Sequence, residues 1–178
     1  MLYKEDFGEG KNIEFKREIP KRHEKLLKDV IAFSNSTGGG KIFIGIEEKT
    51  NEVIGIGEKN PFRLADDISN MIFDSCTPII DPEITIQTLE GRTVVVVEVF
   101  PGRMRPYYLK SFGKEQGSYI RINDTSRPAD DRKLKELELE GQKISYDTLP
   151  EIDMEYSERE AKILCNAMEK VAYDVQTT

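Results

Sequence analysis

The chain has 178 residues, of which 38% are apolar and 33% charged, and its formal net charge is −7 at pH 7. This length suffices for one domain with an extension, and no segment approaches the roughly 20 apolar residues of a membrane helix. Two cysteines, Cys76 and Cys165, and an N-terminus without the pattern of a secretory signal exclude a disulfide framework and favour the cytoplasm.

The first half of the chain alternates strand and helix patterns. Leu26, Leu27, Val30 and Ile31 share one face at helical spacing, after a proline suited to a first helical turn. The predicted elements are a strand at 13–17, a helix at 20–34, a strand at 41–46, a turn leading into 53–56, and a helix at 62–74.

The second half is dominated by hairpin patterns. Glu90 and Gly91 lie between two apolar stretches, which is a hairpin signal. The predicted elements are paired strands at 83–88 and 92–99, short strands at 107–110 and 118–122, and a helix at 128–140. These patterns predict the α+β class, with a mixed sheet, helices packed against it and a C-terminal helical extension.

The extension begins near Gly141, where the composition changes. Ser157 and Glu160 form a capping box, and an apolar stripe follows it. A single helix cannot bury such a stripe alone, so it must pack on the body, form a homodimer, or begin a second module. We therefore predict a domain at 1–132 and an acidic linker with a helix at 133–178.

Charge is distributed unevenly between these two parts. Residues 133–178 hold 6 Lys and Arg against 11 Asp and Glu, whereas residues 1–132 hold 20 against 22. The basic residues of the body cluster, so a basic face on an acidic protein is compatible with the composition. Ordinary solvated surface charge remains the alternative.

Acidic residues near the first strand form a candidate metal site. Glu14 and Lys16 point to one face of a strand, with Phe15 on the other. Glu9 lies upstream in a glycine-flanked loop, and Glu47 and Glu48 lie where the next strand ends. Three carboxylates from separate segments could hold Mg²⁺ or Mn²⁺ for phosphodiester cleavage. The alternative is a Glu–Lys surface pair of little energetic weight.

Other common catalytic sites are not supported. The glycines at 38–40 precede Lys41-Ile42 and follow a helix, so they do not form a phosphate loop for ATP. Asn35 is predicted to bond the local backbone of this turn. His23 is the only histidine, and no Cys/His set for zinc is present. Both cysteines are predicted to be packing residues.

Arginines, tyrosines and hydroxyls are concentrated at 103–108 and 118–127. Arginine contacts phosphates, and exposed aromatic rings stack on bases, although burial of the tyrosines in a sheet is an equal alternative. The candidate nucleic-acid contacts from both basic regions are Lys16, Arg17, Lys21, Arg22, Lys25, Arg103, Arg105, Tyr119, Arg121 and Arg127.

Six stretches, in order, resemble a known family. They are residues 9–16, 32–35 with the glycines, 42–48, 53–55, 105–107 after Pro78 and the hairpin, and 119–128. Together they resemble the Alba-like domain of Schlafen proteins and of many bacterial transcriptional regulators, once classified as a divergent AAA domain. The resemblance covers about residues 1–132.

The resemblance implies an α+β domain that binds DNA. In Schlafen proteins that cleave RNA, three metal-binding acids fall on the positions of Glu9, Glu14 and Glu48, the third being Asp in that pattern. The older AAA name implies ATP binding, for which this sequence has no phosphate loop.

Three functional hypotheses follow. The first is a DNA-binding module of a transcriptional regulator, with no membrane association. The second is a metal-dependent endoribonuclease that uses Glu9, Glu14 and Glu48. The third is a protein-interaction or dimerisation module without nucleic acid, which the acidic balance favours.

Overall fold

The computed structural model describes residues 12–142. The chain divides into two units, Met1–Tyr146 and Asp147–Thr178, and all described residues belong to the first. Its strands are β1 (Ile13–Lys16), β2 (Gly40–Ile44), β3 (Cys76–Thr77), β4 (Glu83–Leu89), β5 (Arg92–Val99), β6 (Tyr108–Leu109), β7 (Tyr119–Ile122) and β8 (Thr125–Pro128). Its helices are α1 (Glu24–Ser34), α2 (Pro61–Ser75), α3 (Gly113–Gly117) and α4 (Asp131–Gln142).

The main sheet is mixed, with the strand order β1-β2-β5-β4. β1 runs parallel to β2, and the other neighbours are antiparallel. The apolar sequence of β5 fits its central position, because Val94 to Val97 are buried and face the two sides of the sheet alternately. The predicted α+β class with a mixed sheet is therefore confirmed.

Helix α1 lies at the centre of the described unit. From Leu26 to Ser34, every residue except Lys28 is buried. The reason is that α1 has neighbours on several sides. It contacts strand β5 of the main sheet, helix α2, strand β6 and the β7–β8 ladder. The helix was predicted to have one apolar face, whereas the structure surrounds nearly all of it. A helix that is enclosed in this way belongs to the core rather than to the surface.

Asn35, at the C-terminal end of α1, joins two distant segments. Its side-chain amide donates to the carbonyls of Tyr107 and Tyr119, both at 2.9 Å, and its Oδ1 accepts from the Tyr107 backbone N–H at 2.8 Å. Asn35 is 4% exposed, so these bonds are shielded from water. The prediction that Asn35 bonds the local backbone is wrong, because the neighbouring segments, rather than the turn, offer it partners.

The triple-glycine turn is required by close packing. Gly39 has φ of +66°, and a Cβ there would lie 2.3 Å from the Val99 carbonyl oxygen. A Cβ on Gly40 would lie 2.4 Å from the ring of Phe33. The turn joins the end of α1 to β2 in the predicted order of helix before strand. The glycines therefore let the sheet approach the helix.

The β4–β5 hairpin matches its prediction. Glu90 and Gly91 both have positive φ, at 49° and 76°, and they connect strands in continuous antiparallel register from Leu89–Arg92 to Glu83–Glu98. Two positive φ angles in a two-residue loop match the right-handed twist of the strands.

Several other predictions differ from the structure. Residues 53–56 do not form a named strand: they make an isolated bridge between Ile46 and Val53 and backbone hydrogen bonds to Gly45 and Thr93. The strands predicted at 107–110 and 118–122 are present as β6 and β7. They are joined to each other by an isolated antiparallel bridge between Tyr108 and Ser118, while their ladders are formed with β3 and β8. The described residues thus contain three sheets. The helix predicted after the capping box at Ser157 and Glu160 lies outside the described residues.

The described helices also bear on membrane association and on the predicted boundary at residue 132. None of the helices within residues 12–142 has the length and hydropathy needed to cross a membrane.

Helix α4 buries Leu134, Leu137 and Leu139, and it lies in the first unit. The first unit therefore continues past residue 132.

Candidate functional site

A buried ammonium group gathers three carboxylates between β1 and α1. Lys16 Nζ lies 2.5 Å from Glu14 Oε1, 3.2 Å from Glu48 Oε1 and 3.4 Å from Asp29 Oδ2. The side chain of Lys16 is 10% exposed, whereas that of Glu48 is 55% exposed. The cluster therefore has a buried base and one side open to water through Glu48.

Arg121 on β7 completes this cluster from the opposite side. Its guanidinium lies 2.7 Å from Glu14 Oε2 and 3.6 Å from Asp29 Oδ1, and it donates to Ser126 Oγ at 3.1 Å. Ser126 in turn donates to Asp29 Oδ1 at 2.6 Å. We call Glu14, Lys16, Asp29, Glu48, Arg121 and Ser126 the Lys16 cluster.

The strand geometry explains why these side chains meet. Glu14 and Lys16 are two residues apart on β1, so they share the face that β1 presents to α1, as predicted. Phe15 points to the other face and packs with Phe43, with ring centroids 5.8 Å apart. Arg121 and Ser126 are direct partners in the β7–β8 ladder, which packs on α1 and therefore reaches Asp29.

Burial and charge shift two pKa values in this cluster. Burial alone would lower the pKa of Lys16, but the carboxylates of Asp29, Glu14 and Glu48 outweigh it, so the pKa lies above its usual 10.5. Burial also raises the pKa of Asp29 above 3.8, and the neighbouring Glu14 raises it further. Lys16, Ser126 and Arg121 offset this increase only in part. The ammonium is thus held in its charged form, whereas the Asp29 carboxylate ionises less readily.

The predicted metal ligands are brought together in part. Glu14 and Glu48 converge on one point, and Lys16 Nζ occupies that point. Within residues 12–142, no three His, Cys, Asp or Glu side chains are arranged to hold a metal ion. Glu9 lies outside the described residues, so the set of three acids stays a prediction. A metal bound between Glu14 and Glu48 would have to displace the ammonium.

Four of the predicted nucleic-acid contacts have buried side chains. Lys16 and Arg121 belong to the Lys16 cluster, and the Arg121 side chain is 4% exposed. Arg105 pairs with Glu140 at 2.6 Å and donates to the Ser36 carbonyl. Tyr119 is 5% exposed beneath the ammonium of Lys28, which lies 5.1 Å from its ring centroid. In the structure these side chains hold segments together, because the charged groups of Lys16, Arg105 and Arg121 bind other parts of the protein and the Tyr119 ring packs beneath Lys28.

The other six predicted contacts are exposed. Arg17 pairs with Glu47 at 3.0 Å. Within the described part of the chain, no hydrogen bond or ion pair engages the side chains of the remaining five, which are Lys21, Arg22, Lys25, Arg103 and Arg127. Lys21 and Arg22 precede α1 and Lys25 lies in its first turn, whereas Arg103 follows Gly102, whose N–H bonds Ser34 at the other end of α1. Lys25 and Arg103 are therefore placed near opposite ends of an 11-residue helix about 16 Å long, whereas Arg127 follows Ser126, which bonds Asp29 in the middle of that helix.

Asp29 and Ser126 were missed by the sequence analysis. Asp29 stands three residues after Leu26, within the apolar stretch of α1, and a carboxylate in that position is a signal that could have been found. Ser126 offers no such signal, because a serine in a polar loop is ordinary and its partner lies 97 residues away.

Cys76 is buried and carries a free thiol, as expected for a packing residue. Its burial raises the pKa of the thiol to about 12, so it is not a reactive thiolate at neutral pH. Cys165 lies outside the described residues.

Known structures share this fold at low sequence identity. The DIP2311 protein from Corynebacterium diphtheriae is 23% identical, with a TM-score of 0.55 over 72% of this chain and 24% of that one. The N-terminal domain of a RecG-related protein from Nitrosomonas europaea is also 23% identical, with a TM-score of 0.50 over 72% of this chain and 86% of that domain. The present chain thus spans about a quarter of the length of the Corynebacterium protein.

The family model described as Schlafen, AlbA_2 matches residues 9–130. This range includes β1, the Lys16 cluster, the hairpin and the β7–β8 ladder. It covers more than two thirds of the chain and agrees with the resemblance seen in the sequence motifs. The chain belongs to the Schlafen AlbA_2 family.

Proposed function

We propose that this chain is the nucleic-acid-binding domain of a cytoplasmic bacterial transcriptional regulator, and that it binds DNA through phosphate contacts. The observation that carries the proposal is the set of exposed cations at the start of α1. We call Lys21, Arg22 and Lys25 the α1 basic patch. None of the three has an acidic partner within residues 12–142.

The contrast with the Lys16 cluster supports this assignment. There, both cations are tied to carboxylates at distances between 2.5 and 3.6 Å, so little of their charge is available to a ligand. In the α1 basic patch the charges face solvent and their counter-ions are mobile. A polyanion that releases such counter-ions gains free energy on binding.

Membership of the Schlafen AlbA_2 family agrees with this proposal. The protein from Nitrosomonas europaea that shares the fold is named as related to a DNA helicase, which is also consistent with a nucleic-acid ligand. Arg103 and Arg127, which are exposed and unpaired in the described part of the chain, could extend the contact.

A triple substitution tests the proposal. Lys21→Ala, Arg22→Ala and Lys25→Ala together should weaken binding of a labelled DNA duplex by at least about tenfold in a gel-shift assay, since three phosphate contacts are lost. The matched control removes three exposed cations elsewhere, namely Lys49, Arg63 and Lys135, and should have a much smaller effect. Equal weakening in both variants would assign binding to total charge rather than to the patch.

A second candidate function is metal-dependent cleavage of RNA by Glu9, Glu14 and Glu48. The observation that favours it is the convergence of Glu14 and Glu48 on Lys16 Nζ. Mg²⁺ or Mn²⁺, when bound, would supply an activated water or stabilise a leaving oxygen. The chain itself would contribute the carboxylates, and Lys16 could offer a cation to a phosphate once displaced.

Labelled hairpin RNA and duplex DNA, each with Mn²⁺ or with EDTA, separate these functions. Shifted and intact nucleic acid supports the binding module. RNA that is cut only with Mn²⁺, and not by Glu14→Ala, supports the nuclease. A protein that shifts neither polymer at low salt would be assigned to protein interaction or dimerisation instead.

A further inference from the structure

A cavity of about 420 Å³ opens beside the α1 basic patch. Three separate segments line it. Lys21, Arg22 and His23 come from the connection between β1 and α1, Ser75 ends α2, and Ser111 follows β6. We call this cavity the Ser75 pocket. Its walls bring two cations, an imidazole and two hydroxyl groups around one space.

The polar side chains of the Ser75 pocket are not used by the described fold. Across residues 12–142, no side-chain hydrogen bond or ion pair involves Lys21, Arg22, His23, Ser75 or Ser111. This distinguishes the pocket from a second cavity of about 430 Å³, where Arg17 pairs with Glu47 and Lys59 pairs with Glu18. Only the Ser75 pocket, of these two cavities, offers unpaired donors.

The pocket has a fixed floor and fixed serine positions. Leu27 and Leu109 line its base, and both belong to the main core with exposures of 3% and 1%. The β3–β6 ladder follows Ser75 directly, and the Lys110 N–H donates to the Ser75 carbonyl at 2.9 Å. The residues that precede and follow the two serines are therefore held by backbone hydrogen bonds, which limits the cost of ordering the site around a ligand.

The lining chemistry selects an anion with several acceptor oxygens. Glu24 is the one acid among the lining residues, against the permanent charges of Lys21 and Arg22. Guanidinium, ammonium and hydroxyl groups together match the oxygens of a phosphate group, which accept several hydrogen bonds at once. A single carboxylate beside two cations does not suit a metal cation.

We infer that the Ser75 pocket binds one phosphate group of the nucleic acid, with Lys21 and Arg22 supplying charge and His23, Ser75 and Ser111 supplying hydrogen-bond donors. The inference rests on the proposed function and extends it from an open basic surface to a defined subsite. The phosphate belongs either to the end of a strand or to its backbone.

The test uses the double variant Ser75→Ala/Ser111→Ala, which leaves the charge unchanged. Its matched control is Ser69→Ala/Thr88→Ala, two exposed hydroxyls away from the pocket. Affinity is measured by fluorescence anisotropy at constant salt with one DNA duplex, whose strands are prepared with a 5′-phosphate or with a 5′-hydroxyl. We expect the double variant to bind about tenfold more weakly, since hydrogen bonds to a charged group are lost, and the control to bind as the wild type.

The two forms of the duplex identify the source of the phosphate. If the variant loses affinity only for the 5′-phosphorylated form, the pocket holds a terminal phosphate. An equal loss with both forms assigns the pocket to a backbone phosphate. If the double variant binds both forms as tightly as the wild type does, the pocket inference is overturned while the DNA-binding proposal stands.

Inorganic phosphate separates a failure of the pocket from a failure of the function. If the wild type binds neither form of the duplex, the proposed function has failed, and the pocket is tested by nuclear magnetic resonance. Phosphate that shifts the amide signals of Ser75, Ser111 and His23, where chloride at the same ionic strength does not, supports the pocket. Absence of such shifts overturns it.

Discussion

Lys16 shows how the charges around one buried residue set its pKa. Its ammonium is the common partner of Glu14, Asp29 and Glu48. Because its folded-state pKa lies above 10.5, Lys16 stabilises the fold fully below pH 10.5 and loses that contribution as the pH rises through the higher value. Asp29 behaves in the same sense at lower pH, since its pKa is also raised and the folded state therefore binds its proton more tightly.

The substitution Asp29→Asn tests this linkage. Between pH 3.8 and the raised pKa of Asp29, the folded wild type holds more protons than the unfolded chain, so the Asp29 contribution to stability falls as pH rises. Asparagine does not titrate. We expect the free energy of unfolding of the variant, measured relative to the wild type by urea denaturation, to increase from pH 3.5 to pH 7.

The control for this experiment is Asp67→Asn, an exposed position on α2 with no partner among the described residues. It removes a carboxylate outside the Lys16 cluster and so gives the reference for the pH dependence of Asp29→Asn. If both variants differ from the wild type in the same way at every pH, the raised pKa of Asp29 is contradicted.

The buried hydrogen bonds of Asn35 predict a second effect on stability. Asn35→Ala would leave the Tyr107 N–H and the carbonyls of Tyr107 and Tyr119 without their buried partner. Because each unsatisfied buried group costs about 1–3 kcal/mol, we expect a loss of at least about 3 kcal/mol in the free energy of unfolding. Urea denaturation measures this loss. Asn70→Ala, on the exposed side of α2, should change stability by less than about 0.5 kcal/mol.

Individual side chains on β1 and β7 show what strand alternation can and cannot predict. Strand alternation predicts that Glu14 and Lys16 share a face, and they do. It does not predict that Tyr119 and Arg121 face α1 rather than solvent, because alternation distinguishes the two faces of a strand without telling which of them is covered. The covering element here is a helix about 90 residues earlier in the chain.

Among the elements, those with strong local signals are predicted well. α2 begins at Pro61 after Asn60, whose side chain accepts from the N–H groups of Phe62 and Arg63, and the β4–β5 hairpin turns at Glu90 and Gly91. The two-residue strand β3 was not predicted, and neither was its pairing with β6, which lies within the strand predicted at 107–110. Two residues carry no periodicity, and their pairing depends on the packing of distant segments.

The cap of α2 gives a prediction for a single element. Asn60→Ala removes the acceptor of two N–H groups, at 3.0 Å and 3.2 Å. Loss of such a cap costs about 1 kcal/mol, which corresponds to a decrease of about 2–4 °C in the melting temperature of a protein of this size. Thermal denaturation followed by circular dichroism measures it. Asn60→Asp keeps the acceptor and should melt within about 1 °C of the wild type, whereas equal losses would assign the effect to packing.

At the scale of the whole molecule, the proposed function sets a basic patch against an acidic protein. The net charge is −7, so we expect DNA to be repelled at long range and attracted near the α1 basic patch. The Debye length is about 30 Å at 0.01 M salt and about 8 Å at 0.15 M. At low salt the distant acidic residues therefore weaken DNA binding by repulsion. At physiological salt this repulsion is screened, and the contacts near the α1 basic patch determine the affinity.

This balance predicts how DNA affinity depends on salt. Three phosphate contacts give a slope of about −2.7 in a plot of log affinity against log salt, or a loss of about 500-fold for a tenfold rise in salt. Below about 0.03 M the slope should become shallower, because added salt also screens the repulsion between DNA and the acidic residues. Titrations followed by fluorescence anisotropy measure both regimes.

The triple variant of Lys21, Arg22 and Lys25 should lose most of the slope above 0.1 M, whereas the Lys49, Arg63 and Lys135 variant should keep it. A slope that is the same in the wild type and the triple variant would place the phosphate contacts elsewhere on the molecule.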